Sequence, residues 1–219
     1  SLVAYLKEKV GEDLEPQYRQ LLDYSETDVK LNPEQKQQIM RALYQCKVLD
    51  PACGSGAFPM GMLQQMVHVL SQLDPNNNSW KNLVLEQSGE ELAKSLDHDE
   101  EERKELQADI NRSFDLSQNY PDYARKLYLI ENCIYGVDIQ TIAIQISKLR
   151  CFITLVVDQK VSTNPADNFG IRPLPNLEAR FVAANTLIGL GKDLSLANTH
   201  NVQCIKDKLA EANHRIFNA

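Results

Sequence analysis

The stretch Val48-Leu49-Asp50-Pro51-Ala52-Cys53-Gly54-Ser55-Gly56-Ala57-Phe58 decides the reading of this chain. Lys47 to Asp50 is a short apolar run closed by Pro51, the pattern of a buried strand followed by a turn. Small residues and two glycines come next. From Gly56 to about Leu73 apolar residues recur at helical spacing, with Phe58, Met62, Met66 and Leu70 forming a stripe that reads as core packing. A strand thus ends in an acid, passes through a glycine loop and opens a helix. Glycines let backbone N–H groups approach a ligand closely, and the helix start adds N–H donors and the positive end of a dipole. A third glycine, as the dinucleotide-binding pattern requires, would fall where Pro59 stands, which disfavours nicotinamide and flavin. The Lys-Ser/Thr pair of a nucleotide-triphosphate loop is absent as well.

Outward from that stretch, residues 1–46 read as an N-terminal helical segment. Leu2, Tyr5, Leu6 and Val10 share one face, and Asn32-Pro33 caps a helix running to about Gln45. After the breaker cluster Asp74 to Ser79, residues Trp80 to Ile130 are polar with helical periodicity. The acidic run Asp97 to Glu102 reads as a solvated helix start. Cys133 to Asp138 is a second strand candidate, Thr141 to Val157 a strongly apolar helix, Ser162 to Asn176 a loop, and Ala179 to Ala184 a third strand candidate. Short apolar strands alternating with helices predict an α/β fold: a partial parallel sheet with helices on both faces. The expected division is 1–46 helical, 47–190 core with a helical insertion at about 75–130, and 191–219 a further helical segment.

The 219 residues are 43% hydrophobic and 24% charged, enough for a buried core and incompatible with a disordered chain. No apolar stretch approaches the roughly 20 residues of a membrane span, and the N-terminus has no signal-peptide pattern, so a cytoplasmic protein without membrane partners is expected. Five cysteines show neither a CxxC pair nor zinc-ligand spacing, and are expected to be reduced, without a metal. The net charge of −7 argues against a strong grip on nucleic acid by this chain alone. Absence of an initiator Met, and a helical pattern still running at Ala219, suggest a piece of a longer polypeptide.

Gly136-Val137-Asp138 places a second acid at the carboxyl end of a strand. A zwitterionic ligand suits a strand-end acid beside a helix-start loop, and a neighbouring strand-end acid suits ribose hydroxyls. S-adenosyl-L-methionine carries both features. Asp50-Pro-Ala-Cys-Gly-Ser-Gly-Ala-Phe58 resembles motif I of the γ-type N6-adenine DNA methyltransferases, nearly letter for letter. Tyr135-Gly-Val-Asp-Ile-Gln140, with the helix through Ser147-Lys148-Leu149-Arg150, is similar to their motif II region. Pro173-Leu-Pro-Asn-Leu177, leading to Phe181-Val-Ala-Ala-Asn-Thr-Leu-Ile188, is similar to motif III of the large single-chain (type IIG-like) restriction–modification enzymes.

The resemblance implies a Rossmann-like S-adenosylmethionine-dependent methyltransferase core. It implies that Asp50, Pro51, Ala52, Cys53, Gly54, Ser55, Gly56 and Phe58 surround the methionine end of the cofactor. Asp138 would take the ribose hydroxyls, Ile139 would lie against the adenine ring, and Asn185, with Thr186 and Leu187, would meet the adenine amino edge. Two features depart from the family. Asp50 and Asp138 lie much farther apart than the roughly 20 residues of a compact strand–helix–strand unit, hence the expected insertion. The catalytic Asn/Asp-Pro-Pro-Tyr motif does not occur; Asn164-Pro165-Ala166-Asp167, the nearest match, precedes motif III and reads as a loop turn. No catalytic residue is therefore expected in this chain, and DNA would be engaged through the rest of a longer protein. A methyltransferase acting on RNA, protein or a small molecule, and a non-catalytic helical interaction module, are the alternatives.

Overall fold

The computed structural model describes residues 2–24, 29–94, 100–173 and 175–188. They form an α/β arrangement with three strands and eight α-helices among the described residues. Three helices come first: α1 (Leu2–Lys9), α2 (Glu15–Leu22) and α3 (Pro33–Gln45). Asn32 starts α3 with a reciprocal capping box: its side chain accepts from Gln35 N–H, and the Gln35 side chain accepts from Asn32 N–H. Next come β1 (Val48–Asp50) and α4 (Ala57–Leu73), then α5 (Asn78–Lys94), α6 (Glu100–Ser113) and α7 (Pro121–Asn132). The chain returns to the sheet as β2 (Ile134–Asp138), crosses as α8 (Thr141–Val156) and ends the sheet with β3 (Phe181–Ala183).

The sheet is parallel with order β1-β2-β3; Asp50 pairs with Gly136, and Asp138 with Ala183. One face, carrying Val48, Ile134, Gly136 and Phe181, is buried under the helices. Helix α4 packs on β1 and β2, α8 on β2 and β3, and the two helices touch each other. The other face was expected to be covered too, and there the structure differs. Leu49 and Val182 are exposed, with Tyr135 and Val137 only half-buried between them. The handedness of the crossovers supplies the reason. Two successive right-handed connections that step in one direction place both crossover helices on the same face.

The helices between α4 and β2 are held by a polar hub and an aromatic cluster. Asp74 accepts from Asn78 and Trp80 N–H, starting α5, while buried Arg125 of α7 donates to the Asp74 and Pro75 carbonyls. Trp80 is fully buried, edge-on to Tyr44 of α3 and Tyr128 of α7, which stack on each other. Met62, Met66 and Leu70 are buried as expected, while Phe58, at the start of that stripe, is half-exposed.

Asp97 to Asp99, and the segment 191–219 read as helical, lie outside the described residues; of Glu100 to Glu102 only the backbone is described. Asn164-Pro165 opens a short 3-10 turn, Pro165–Gly170, closed by Phe169 N–H donating to the Asn164 carbonyl. Among the described residues no helix is long and apolar enough to cross a membrane. Among the described residues, those up to Ala184 belong to one compact unit, and Asn185 to Ile188 belong to a second.

Candidate cofactor site

The loop between β1 and α4 turns on two glycines in the left-handed region, Gly54 with φ +54° and Gly56 with φ +81°. A Cβ on Gly54 would meet nothing within 4 Å, so the loop opens onto free space there. On Gly56 it would lie 2.9 Å from Ser147 Oγ, so this glycine is required twice, by its φ and by its contact with α8. Gly136 is a third point of close approach. A Cβ there would stand 2.8 Å from the Phe181 ring and 2.9 Å from Cys53 Sγ, so the buried Cys53 thiol packs under the loop against the central strand. Burial pushes the Cys53 thiol pKa up, which keeps the sulfur neutral and inert.

Both acids stand at the carboxyl edge of the sheet. Asp50 accepts from Ala52 N–H at 3.1 Å, bracing the turn through Pro51 and Ala52. Asp138, two residues beyond the partner of Asp50, accepts from Gly54 N–H at 2.9 Å through Oδ2 and from Gln140 N–H at 2.8 Å through Oδ1. Those bonds, Gln140 first and Gly54 second, hold its carboxyl below the usual aspartate range. The carboxylate therefore ties the loop to β2 while staying ionised. A carboxylate has about four lone-pair positions, so two N–H bonds leave room for two hydroxyl donors.

The loop is also fastened from the helix side, by residues whose individual roles the sequence did not disclose. Buried Ser147 places Oγ 3.1 Å from both the Gly54 and the Ala143 carbonyls. Arg150 donates to the Ser55 carbonyl at 3.0 Å. One signal was available: Ser147 and Arg150 stand three apart in the segment similar to motif II. Cys53 N–H donates to the Val137 carbonyl, so the loop is hydrogen-bonded to both β2 and α8.

Asp50, Pro51, Ala52, Cys53, Gly54, Ser55, Gly56, Phe58 and Asp138 thus gather at one edge, and Ile139 follows Asp138 with its side chain exposed. Asn185, Thr186 and Leu187 follow β3 in sequence within the second unit. There Asn185 Oδ1 accepts from Leu187 N–H at 3.0 Å. Among the described residues no group of three or more His, Cys, Asp or Glu side chains could hold a metal ion.

A curated relative from Methanocaldococcus jannaschii is 27% identical over 176 residues, a match that takes in 77% of this chain. It is named "Putative type II restriction enzyme and methyltransferase". The chain is similar to a restriction–modification protein. The matched region is only 11% of that relative's length, so the chain corresponds to a small part of it. No family model matches the chain, and no solved structure does.

Proposed function

We propose that this chain is the S-adenosylmethionine-binding portion of an adenine-N6 DNA methyltransferase in a restriction–modification system. One observation carries the reading: a glycine loop with open space at Gly54, fastened to an ionised strand-end carboxylate that keeps acceptor positions for hydroxyls. The similarity to a protein named as restriction enzyme and methyltransferase supports it. On this reading residues 47–190 are a partial Rossmann-like methyltransferase core and 75–130 its helical insertion. Residues 191–219 lead to the part that carries the Asn/Asp-Pro-Pro-Tyr motif. The setting is cytoplasmic.

S-adenosylmethionine, when bound, supplies a methyl group activated on a sulfonium. The chain's own residues bind and orient it. Asp50 answers the ammonium group, and the loop from Cys53 to Gly56, with the N-terminus of α4, answers the carboxylate. Asp138 accepts from the ribose hydroxyls, and Ile139 covers the adenine ring. Fastening by Ser147 and Arg150 keeps the loop in its binding shape before the ligand arrives, which lowers the ordering cost of binding. Methylation of a flipped adenine also needs acceptors for N6 and an aromatic platform, which another part of the longer protein would contribute together with most of the DNA contact.

Labelled S-adenosylmethionine is to be given with mixed-sequence duplex DNA to the longer polypeptide carrying this chain and such a motif. The expected product is N6-methyladenine. Label on cytosine, or on protein instead of DNA, contradicts the reading.

A further inference from the structure

Helix α8 carries two apolar stripes separated by polar residues. Its inward face, with Ile144, Cys151 and Leu155, is buried against the sheet and neighbouring helices. Opposite it runs a second stripe: Ile142, Ile146, Leu149 and Ile153, continued by Val157 just past the helix. The steps of four, three, four and four residues align them on one side. All five are exposed, at 66%, 41%, 53%, 51% and 62%. A contiguous exposed apolar patch of this kind marks an interaction surface. A depression of about 510 Å³ between α4 and α8, lined by Gly61, Gln64, Arg150 and Ile153 among others, flanks the stripe.

We propose that this face is a self-association surface, on which a second copy of the chain packs its own α8 in the antiparallel direction. Self-complementarity is the first ground. A two-fold contact requires that if residue i meets residue j, then j meets i. Four of the five residues are placed symmetrically about the midpoint between Leu149 and Arg150, and Leu149 lies beside that midpoint. Ile142 and Val157 lie equally far from it, as do Ile146 and Ile153, so an antiparallel pair sets Ile142 against Val157 and Ile146 against Ile153 at both ends.

Charge is the second ground. Helix α8 contains no acidic residue, and both of its cations are already engaged: Lys148 with Glu178 at 2.7 Å, and Arg150 with the Ser55 carbonyl. The surface is thus apolar and free of carboxylates within a chain of net charge −7.

Area is the third. The stripe offers on the order of 500 Å² per copy, so that a pair reaches the roughly 1,000 Å² at which specific interfaces begin. That size predicts a weak, concentration-dependent dimer.

Sedimentation equilibrium of the full chain over a wide concentration range reads the association. The wild type is expected to form dimers that tighten with added salt, since salt screens the repulsion between two acidic copies. Ile146→Glu and Ile153→Lys, each folded by circular dichroism, are expected to be monomeric. The double variant Ile146→Glu/Ile153→Lys is expected to associate again, because the antiparallel register places each new carboxylate against the partner's new ammonium. A wild type that stays monomeric overturns the proposal. That holds also when the stripe proves protected from labelling, which would assign it to another segment of the same polypeptide. Dimers that survive both single substitutions, or a double variant that remains monomeric, overturn it equally.

Discussion

Replacing Gly56 by alanine tests whether the loop geometry is imposed by its contact with α8. Two costs act at this position. The backbone sits at φ +81°, where an L residue carries a penalty of roughly 1–2 kcal/mol. The new methyl would also stand 2.9 Å from Ser147 Oγ and 3.1 Å from Ser147 Cβ, an overpacking that costs roughly 1–3 kcal/mol. Ser147 cannot swing aside freely, because its hydroxyl is engaged with the Gly54 and Ala143 carbonyls. The expected loss is about 2–5 kcal/mol in all, read as a lower urea midpoint at unchanged slope. In a Ser147→Gly background the steric share disappears and the φ share remains, so the same substitution should cost about 1–3 kcal/mol less. A Gly56→Ala variant within about 0.5 kcal/mol of wild type, or one costing the same in both backgrounds, would refute the reasoning.

Asp138→Ala removes the acceptor for Gly54 and Gln140 together with the proposed acceptor for the ribose. S-adenosylhomocysteine affinity, measured by calorimetry, should fall roughly 10- to 100-fold, the scale of hydrogen bonds to a charged group; equal affinity would remove Asp138 from the site. Glu131 on α7 is pushed up to about 7 by burial, against the opposing pull of Arg180. Its folded pKa lies above the unfolded value of 4.5, so stability should fall as pH rises from about 4.5 to about 7 and level off above. Glu131→Gln should flatten that slope and gain about 2–3 kcal/mol at pH 8; superimposable urea midpoint profiles for the two proteins would contradict it. The 219-residue chain alone should transfer no labelled methyl group to mixed-sequence duplex DNA and should bind that DNA poorly at physiological salt. Incorporation above a no-protein blank would show acceptor chemistry within these residues.

The strands and crossover helices were legible because each carries a strong local pattern. Val48 to Asp50 ends at Pro51, Ile134 to Asp138 is apolar up to its acid, and α4 and α8 hold their period for four turns or more. Asn32 announced the start of α3 through a cap whose chemistry is local. What escaped was non-local. Nothing in the strand sequences says which face is covered, because Leu49 and Val182 are as apolar as Val48 and Phe181; the handedness of two consecutive crossovers decides it. Likewise the apolar spacing of α8 does not tell its inward stripe from its outward one. In the site, the sequence marks Gly54, Gly56, Asp50 and Asp138, but not that Asp138 binds the loop backbone itself. Nor does it show that Ser147 and Arg150 fasten the loop from the next helix, since those contacts join residues more than eighty positions apart.

The central claim is that the loop from Asp50 to Gly56, with Asp138, holds S-adenosylmethionine. Calorimetric titration of the folded chain with S-adenosylhomocysteine, the demethylated product, tests it most directly. One saturable site per chain is predicted, abolished or strongly weakened when Gly54 is replaced by a bulky residue that fills the open space beside it. A folded chain that releases no binding heat and gains no thermal stability at saturating ligand would contradict the account.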